Sequence, residues 1–141
     1  MMHDAPHQGV FVRLGLSDLH GIGVFAIRTI EEGTNIFEND RVELVWITKT
    51  ELERSEPSEA ARRLYHDFGI DAGDSIGCPV NFHNLTPGWY LNRPAVNGAA
   101  NIRVNKDLNF FASRTIAVGE ELTVDYAELN DAGRAYRAKT R

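Results

Sequence analysis

The chain has a single cysteine, Cys78, in 141 residues. That excludes an intrachain disulfide and any cysteine-rich zinc cluster, and it fits a reducing cytoplasm, the expected compartment. No apolar run approaches the roughly 18 residues needed to cross a bilayer, so no membrane partner is expected. The opening Met1-Met-His-Asp-Ala-Pro-His7 lacks the charged-then-apolar build of a secretion signal. A surplus of basic residues is also missing: 15 Lys and Arg stand against 20 Asp and Glu, for a net charge of −5. Phosphate binding draws on excess positive charge, so a nucleic-acid partner is not expected. The balance is compatible with a basic protein or peptide partner, although charge of this size also serves ordinary solubility. His3 and His7 share helical spacing but have no third ligand beside them, and no metal site is expected.

What is present, first of all, is a repeat. Phe25-Ala-Ile-Arg-Thr-Ile-Glu-Glu-Gly33 returns 86 residues later as Phe111-Ala-Ser-Arg-Thr-Ile-Ala-Val-Gly119, with six of nine positions identical. Each copy is a β-prone run ended by a glycine and followed by a second apolar run, Thr34–Phe37 and Glu121–Val124. That pattern predicts strand, tight turn and strand. Two copies are too few for a solenoid, which needs about three stacked units. They suit one β domain with two similar hairpins, in which Gly33 and Gly119 hold equivalent turns.

Around the repeat the chain reads as mostly β with a short helical insert. Residues 1–9 read as a flexible polar tail, and Val10–Leu16 as a strand before the turn-rich Ser17–Gly23. Val42–Ile47 is a further strand. Helical signals follow. Thr48 with Glu51 forms a capping-box pattern, and Pro57 suits a first helical turn. Ala61, Leu64, Tyr65 and Phe68 share one helical face, with Gly69 as the stop. Ile70 to Trp89 is turn-rich loop with short strands, Ile102–Val104 and Asn109–Ala112 resume the β pattern, and 127–141 is polar, a short helix or a tail. One domain over 10–126 with a C-terminal tail at 127–141 is the expected organisation, and 141 residues are enough for a real core.

Three blocks then stand in order: His20-Gly-Ile-Gly-Val-Phe-Ala26; Trp89-Tyr-Leu-Asn92 with Asn101-Ile-Arg-Val104; and Phe110-Phe-Ala-Ser-Arg-Thr-Ile-Ala-Val-Gly-Glu-Glu-Leu-Thr-Val-Asp-Tyr126. Together they resemble the SET domain family of S-adenosylmethionine-dependent protein lysine methyltransferases, over about Leu14 to Tyr126. The resemblance implies a β-clip fold of several small sheets with a C-terminal pseudoknot. It implies methyl transfer from S-adenosylmethionine to a lysine side chain of a protein or peptide. It assigns the cofactor to Gly21, Ile22, Gly23, Tyr90, Asn92, Arg93 and Tyr126, with the two glycines giving clearance for close backbone approach, and it assigns catalysis to Tyr126. Two features depart from the family pattern. Arg93 stands where the family has His after Asn92, and the segment to Asn101 is longer. Cysteine-rich flanks are absent, which leaves Tyr136 as the candidate closing aromatic. The rival reading is a non-catalytic SET-like peptide-binding module. S-adenosylmethionine would raise the melting temperature of the enzyme and leave such a module unchanged.

One further match is literal. Gly73-Asp-Ser-Ile-Gly77 fits the Gly-x-Ser-x-Gly nucleophile elbow, but no acid lies between Ser75 and His83, the last histidine, so the order of a hydrolase triad is missing.

Overall fold

A computed structural model describes residues 5–40, 43–55 and 58–140. His3, Val42 and Pro57 lie outside the described residues. The expected first strand is β1, Val12–Leu16, which pairs antiparallel with β2, Ile22–Ala26. Residues 5–9, read from sequence as a tail, form a turn closed by Gln8 N–H to Ala5 O (3.0 Å) and tied down by Arg28 Nη2 to His7 O (3.2 Å). The second sheet holds β3 (Leu44–Thr48), β5 (Ser75–Pro79) and β4 (Ile70–Asp71), in that order. Strands β6 (Ile102–Val104) and β7 (Phe110–Ala112) form a two-stranded ribbon. Strand β8, Glu121–Leu122, completes the first sheet on the far side of β2.

The helical insert follows its sequence signals. Helix α1, Lys49–Arg54, starts on the complete Thr48/Glu51 capping box. In α2, Glu59–Phe68, the Ser58 side chain accepts from Ala61 N–H (3.1 Å), and Gly69 stands at the C-cap. That glycine is extended, at φ −72°, so its use is steric: a Cβ there would run into the Tyr65 carbonyl and Ile76. The apolar face of α2 is held by ring edges, Tyr65 on Phe82 at 5.0 Å and Phe68 on Tyr90 at 5.2 Å. Edge-to-face pairs of this kind add stabilisation beyond their buried area.

The repeat corrects the hairpin expectation. Gly33 and Gly119 do hold equivalent turns, with φ of +85° and +87°, each closed by the same bond: Thr34 N–H to Glu31 O (3.1 Å) and Glu120 N–H to Ala117 O (3.0 Å). A glycine is required there because a positive φ costs any other residue. The arms, however, do not pair with themselves. Gly33 N–H donates to Ala112 O and Gly119 N–H to Ala26 O, both at 2.8 Å. Ala112 N–H returns to Thr34 O and Ala26 N–H to Glu120 O, both at 3.0 Å. The two copies clasp each other about a local two-fold, with Ile30 and Ile116 exchanging both backbone bonds (2.9 and 2.8 Å) at its centre. Both isoleucines are fully buried and, with Val24, Ile102, Leu122 and Val124, form the heart of the core. The pairing satisfies the buried backbone groups of both turns at once.

The segment from Glu121 to Val124 is also threaded. Val124 N–H donates to Asn92 O (3.0 Å) on one side, and Ile102 N–H donates to Thr123 O (3.1 Å) on the other. The chain between Asn92 and Ile102 thus loops past the C-terminal strand, as the expected pseudoknot requires. Buried Asn101 locks the crossing by accepting from Thr123 N–H (2.8 Å) and donating to Glu121 O (2.9 Å).

The polar segment after Tyr126 is a helix, α3, Tyr126–Thr140. Asp125 caps it by accepting from Ala127 N–H (2.9 Å). Glu128 anchors the first turn to β6, accepting from Arg103 Nε and Val104 N–H (2.9 Å each). Farther along, buried Gly133 lets α3 seat directly on Ile70 of β4, where a Cβ would clash. Arg137 then lies over Trp46 of β3. The helix therefore staples the insert sheet to the core.

Candidate active site

Tyr126 is the first residue of α3, so capping and threading fix its position together. Its hydroxyl donates to Leu91 O at 2.8 Å, and its ring is partly buried. Burial raises the phenol pKa above its usual value, and the Arg93 cation partly opposes that shift. The Arg93 guanidinium sits 4.8 Å from the ring centroid, in cation–π range. Tyr126 also lines a cavity of about 790 Å³ bounded by α3, the end of α2, β4, and residues of segments 37–40, 43–44 and 107–110.

On the other side of Asn92 lies the glycine loop. Asn92 is buried, and its Nδ2 lies 2.9 Å from His20 O, 3.2 Å from Ile22 O and 2.9 Å from Glu121 Oε2. One amide thus spans Gly21 and ties the loop to β8. Gly21 has φ +46°, and nothing lies within 4 Å of where a Cβ would stand. This open, left-handed glycine beside exposed Ile22 is the approach surface that a cofactor backbone contact needs. The residues present are compatible with the S-adenosylmethionine expected from sequence: Gly21 and Ile22 would offer main chain to it, and Asn92 holds the loop.

Gly23 has a different use from the clearance expected of it. A Cβ there would stand 2.9 Å from Glu121 Cδ and closer still to its carboxylate, so the missing side chain makes room for Glu121 inside the protein. Tyr90 faces Phe68 and packs on the core from the 3-10 turn Pro87–Tyr90. Of the residues assigned from sequence, Gly21, Ile22, Gly23 and Asn92 converge through the Asn92 amide, and Arg93 and Tyr126 converge through their stacking. Tyr136 lines the same cavity as Tyr126. Ser75 of the Gly-x-Ser-x-Gly match is fully buried in β5, where no substrate reaches it.

Two members of the site carried no sequence signal of their own. Ser17 Oγ donates to Glu121 Oε1 (2.7 Å) and accepts from Leu19 N–H (2.9 Å) and His20 N–H (3.2 Å). Glu121 receives both Ser17 and Asn92. The Glu121 position was visible only as part of a longer motif.

Comparison with known proteins bears on the family and the fold. The SET domain family model matches residues 21–127. A Plasmodium falciparum protein described as a candidate histone methyltransferase is similar in structure, at 21% identity and TM-score 0.51, over 83% of this chain and 93% of that one. A chain of the Chaetomium thermophilum polycomb repressive complex 2 matches at 23% identity and TM-score 0.56, again over 83% of this chain but only 15% of that one. At these identities the two structures speak for the fold alone. The fold, the threaded strand and the family match over most of its length place this chain in the SET domain family.

Proposed function

We propose that the protein is an S-adenosylmethionine-dependent protein lysine methyltransferase whose substrate lysine enters through the cavity beside Tyr126. The observation that carries this is the position of Tyr126, with Arg93 of the cofactor-side loop on its ring and the open cavity along its edge. Among the described residues, Glu38, Asp40, Glu43, Asp67, Asp71 and Asp107 line that cavity, and no Lys or Arg does. Lys49 neutralises Asp71 from outside at 3.2 Å, and Lys139 contacts Asp107. Glu38, Glu43 and Asp67 still give the mouth a negative field, which draws in a lysine and favours basic neighbours along the peptide.

When bound, S-adenosylmethionine supplies an electrophilic methyl on a sulfonium. The chain's own residues prepare the nucleophile. A lysine amine of pKa ~10.4 is neutral only about once in 2,500 molecules at pH 7. Partial burial beside Tyr126 disfavours the ammonium, and the Arg93 cation does so by like charge. Tyr126 keeps its proton, because burial raises its pKa, and commits that proton to Leu91 O. Its remaining oxygen lone pair is an acceptor that can hold and orient an amine N–H. No dedicated general base is required.

The test is transfer of a radiolabelled methyl group to paired lysine peptides, one flanked by basic residues and one by acidic residues. Transfer to the basic peptide, with a KM that rises in Glu43→Lys, is the expected result. Failure to label any lysine, together with a melting temperature that S-adenosylmethionine leaves unchanged, would make the peptide-binding module the better reading.

A further inference from the structure

We infer that Glu121 is the positioning residue of the cofactor loop, acting through Ser17 and Asn92. This rests on the reading that S-adenosylmethionine meets the chain at Gly21 and Ile22. The loop from Ser17 to Ile22 is shaped by two side chains, each with an orientational ambiguity, and among the described residues Glu121 is the one side chain that contacts both. A serine hydroxyl can rotate. Donating its proton to Glu121 Oε1 at 2.7 Å leaves the lone pairs of Ser17 Oγ to receive Leu19 N–H and His20 N–H. An asparagine amide can flip. With Nδ2 inward, Asn92 meets three acceptors: His20 O, Ile22 O and Glu121 Oε2. Flipped, its carbonyl would face those same three oxygens with no hydrogen between them, and the carboxylate makes that arrangement the most repulsive.

The consequence reaches the loop surface. Holding His20 O inward turns the opposite edge of that trans peptide, the Gly21 N–H, outward toward the open space beside Gly21. Glu121 therefore sets which backbone groups the loop presents without itself reaching that surface. Gly23 belongs to the same device, since any side chain there would displace the carboxylate.

The test uses Glu121→Gln, which keeps the shape but replaces one acceptor oxygen by a donor that must oppose Ser17 or Asn92. Affinity for S-adenosylmethionine is measured by calorimetry, and amide exchange at residues 19–22 is followed in the cofactor-free protein. The expected result is at least tenfold weaker cofactor binding, exchange at 19–22 at least tenfold faster, and kcat at saturating cofactor within threefold of wild type. Gly23→Ala should reproduce the affinity loss, and the Gly23→Ala/Glu121→Gln pair should be no worse than the more severe single variant. Ser17→Ala, which removes one arm only, should weaken binding by about threefold and serves if Glu121→Gln does not fold. Cofactor affinity within twofold of wild type in folded Glu121→Gln overturns the inference, as does unchanged exchange at 19–22. If the wild-type protein itself binds no S-adenosylmethionine, the proposed function fails, and the exchange rates alone still decide whether Glu121 holds the loop.

Discussion

Replacing Tyr126 by phenylalanine separates chemistry from packing. The variant keeps the ring, its seat on the core and the Arg93 stack, and it deletes one hydroxyl. The stability cost is that of the bond to Leu91 O at 2.8 Å. A net hydrogen bond of this kind is worth ~1 kcal/mol, rising toward ~3 if the carbonyl is left dry and unpaired. The cavity at Tyr126 lets water reach that edge, so the low end is expected. If the hydroxyl only serves stability, methyl transfer by the folded variant stays at the wild-type rate. If its lone pair orients the amine in the transition state, the rate falls by at least ~100-fold, near 2.7 kcal/mol, with S-adenosylmethionine affinity nearly unchanged. The assay is single-turnover methyl transfer at saturating cofactor, with binding measured in parallel. A rate within threefold of wild type would remove Tyr126 from catalysis.

Other outcomes follow from the same structure. Gly33→Ala and Gly119→Ala each place a Cβ in open space at a left-handed φ, so each should cost ~1–2 kcal/mol in urea unfolding, and the two costs should match. A difference above ~1.5 kcal/mol would mean the turns are not equivalent. Arg93→His should leave cofactor affinity within about threefold, under ~1 kcal/mol; a tenfold gain would show that the natural arginine obstructs the pocket and favour the inert module. Cys78 is buried, and desolvation pushes its thiol up to about 11. Alkylation at pH 8 should therefore be at least ~100-fold slower than for an exposed thiol, and labelling at the rate of a free cysteine would refute the burial. Because this acid's pKa is raised on folding, its contribution to stability is intact below about 9 and is lost as pH climbs toward about 11, which pH-dependent melting checks.

Local chemistry was legible in the sequence and distant partnership was not. The Thr48/Glu51 box and the two positive-φ glycines follow from residues within a few positions of each other, and the structure has each where it was expected. The partner of each turn lies in the other copy, 86 residues away, and nothing local records whether an arm folds back or crosses over. The last helix was hard to read because its seam is made of small residues, Ala132 and Gly133, which give a weak apolar stripe. At the site, Asn92 and Tyr126 were found through motif resemblance. Ser17 was not, since its role depends on a carboxylate 104 residues downstream.

The crossed clasp of the two copies sets an order of events during synthesis. Strand β2 has one neighbour within the N-terminal region and acquires its second only from β8. The Gly33 turn likewise has no acceptor for its amide until Ala112 exists. A nascent chain therefore carries half of its core apolar residues without their partners until nearly the whole domain has left the ribosome. The non-local pairing that gives the native state its centre also makes folding slow and late, with a window in which unpaired edges are exposed to other chains. Truncation ahead of Val124 should thus yield a chain that aggregates and depends on chaperones, because the first copy by itself has nothing to clasp.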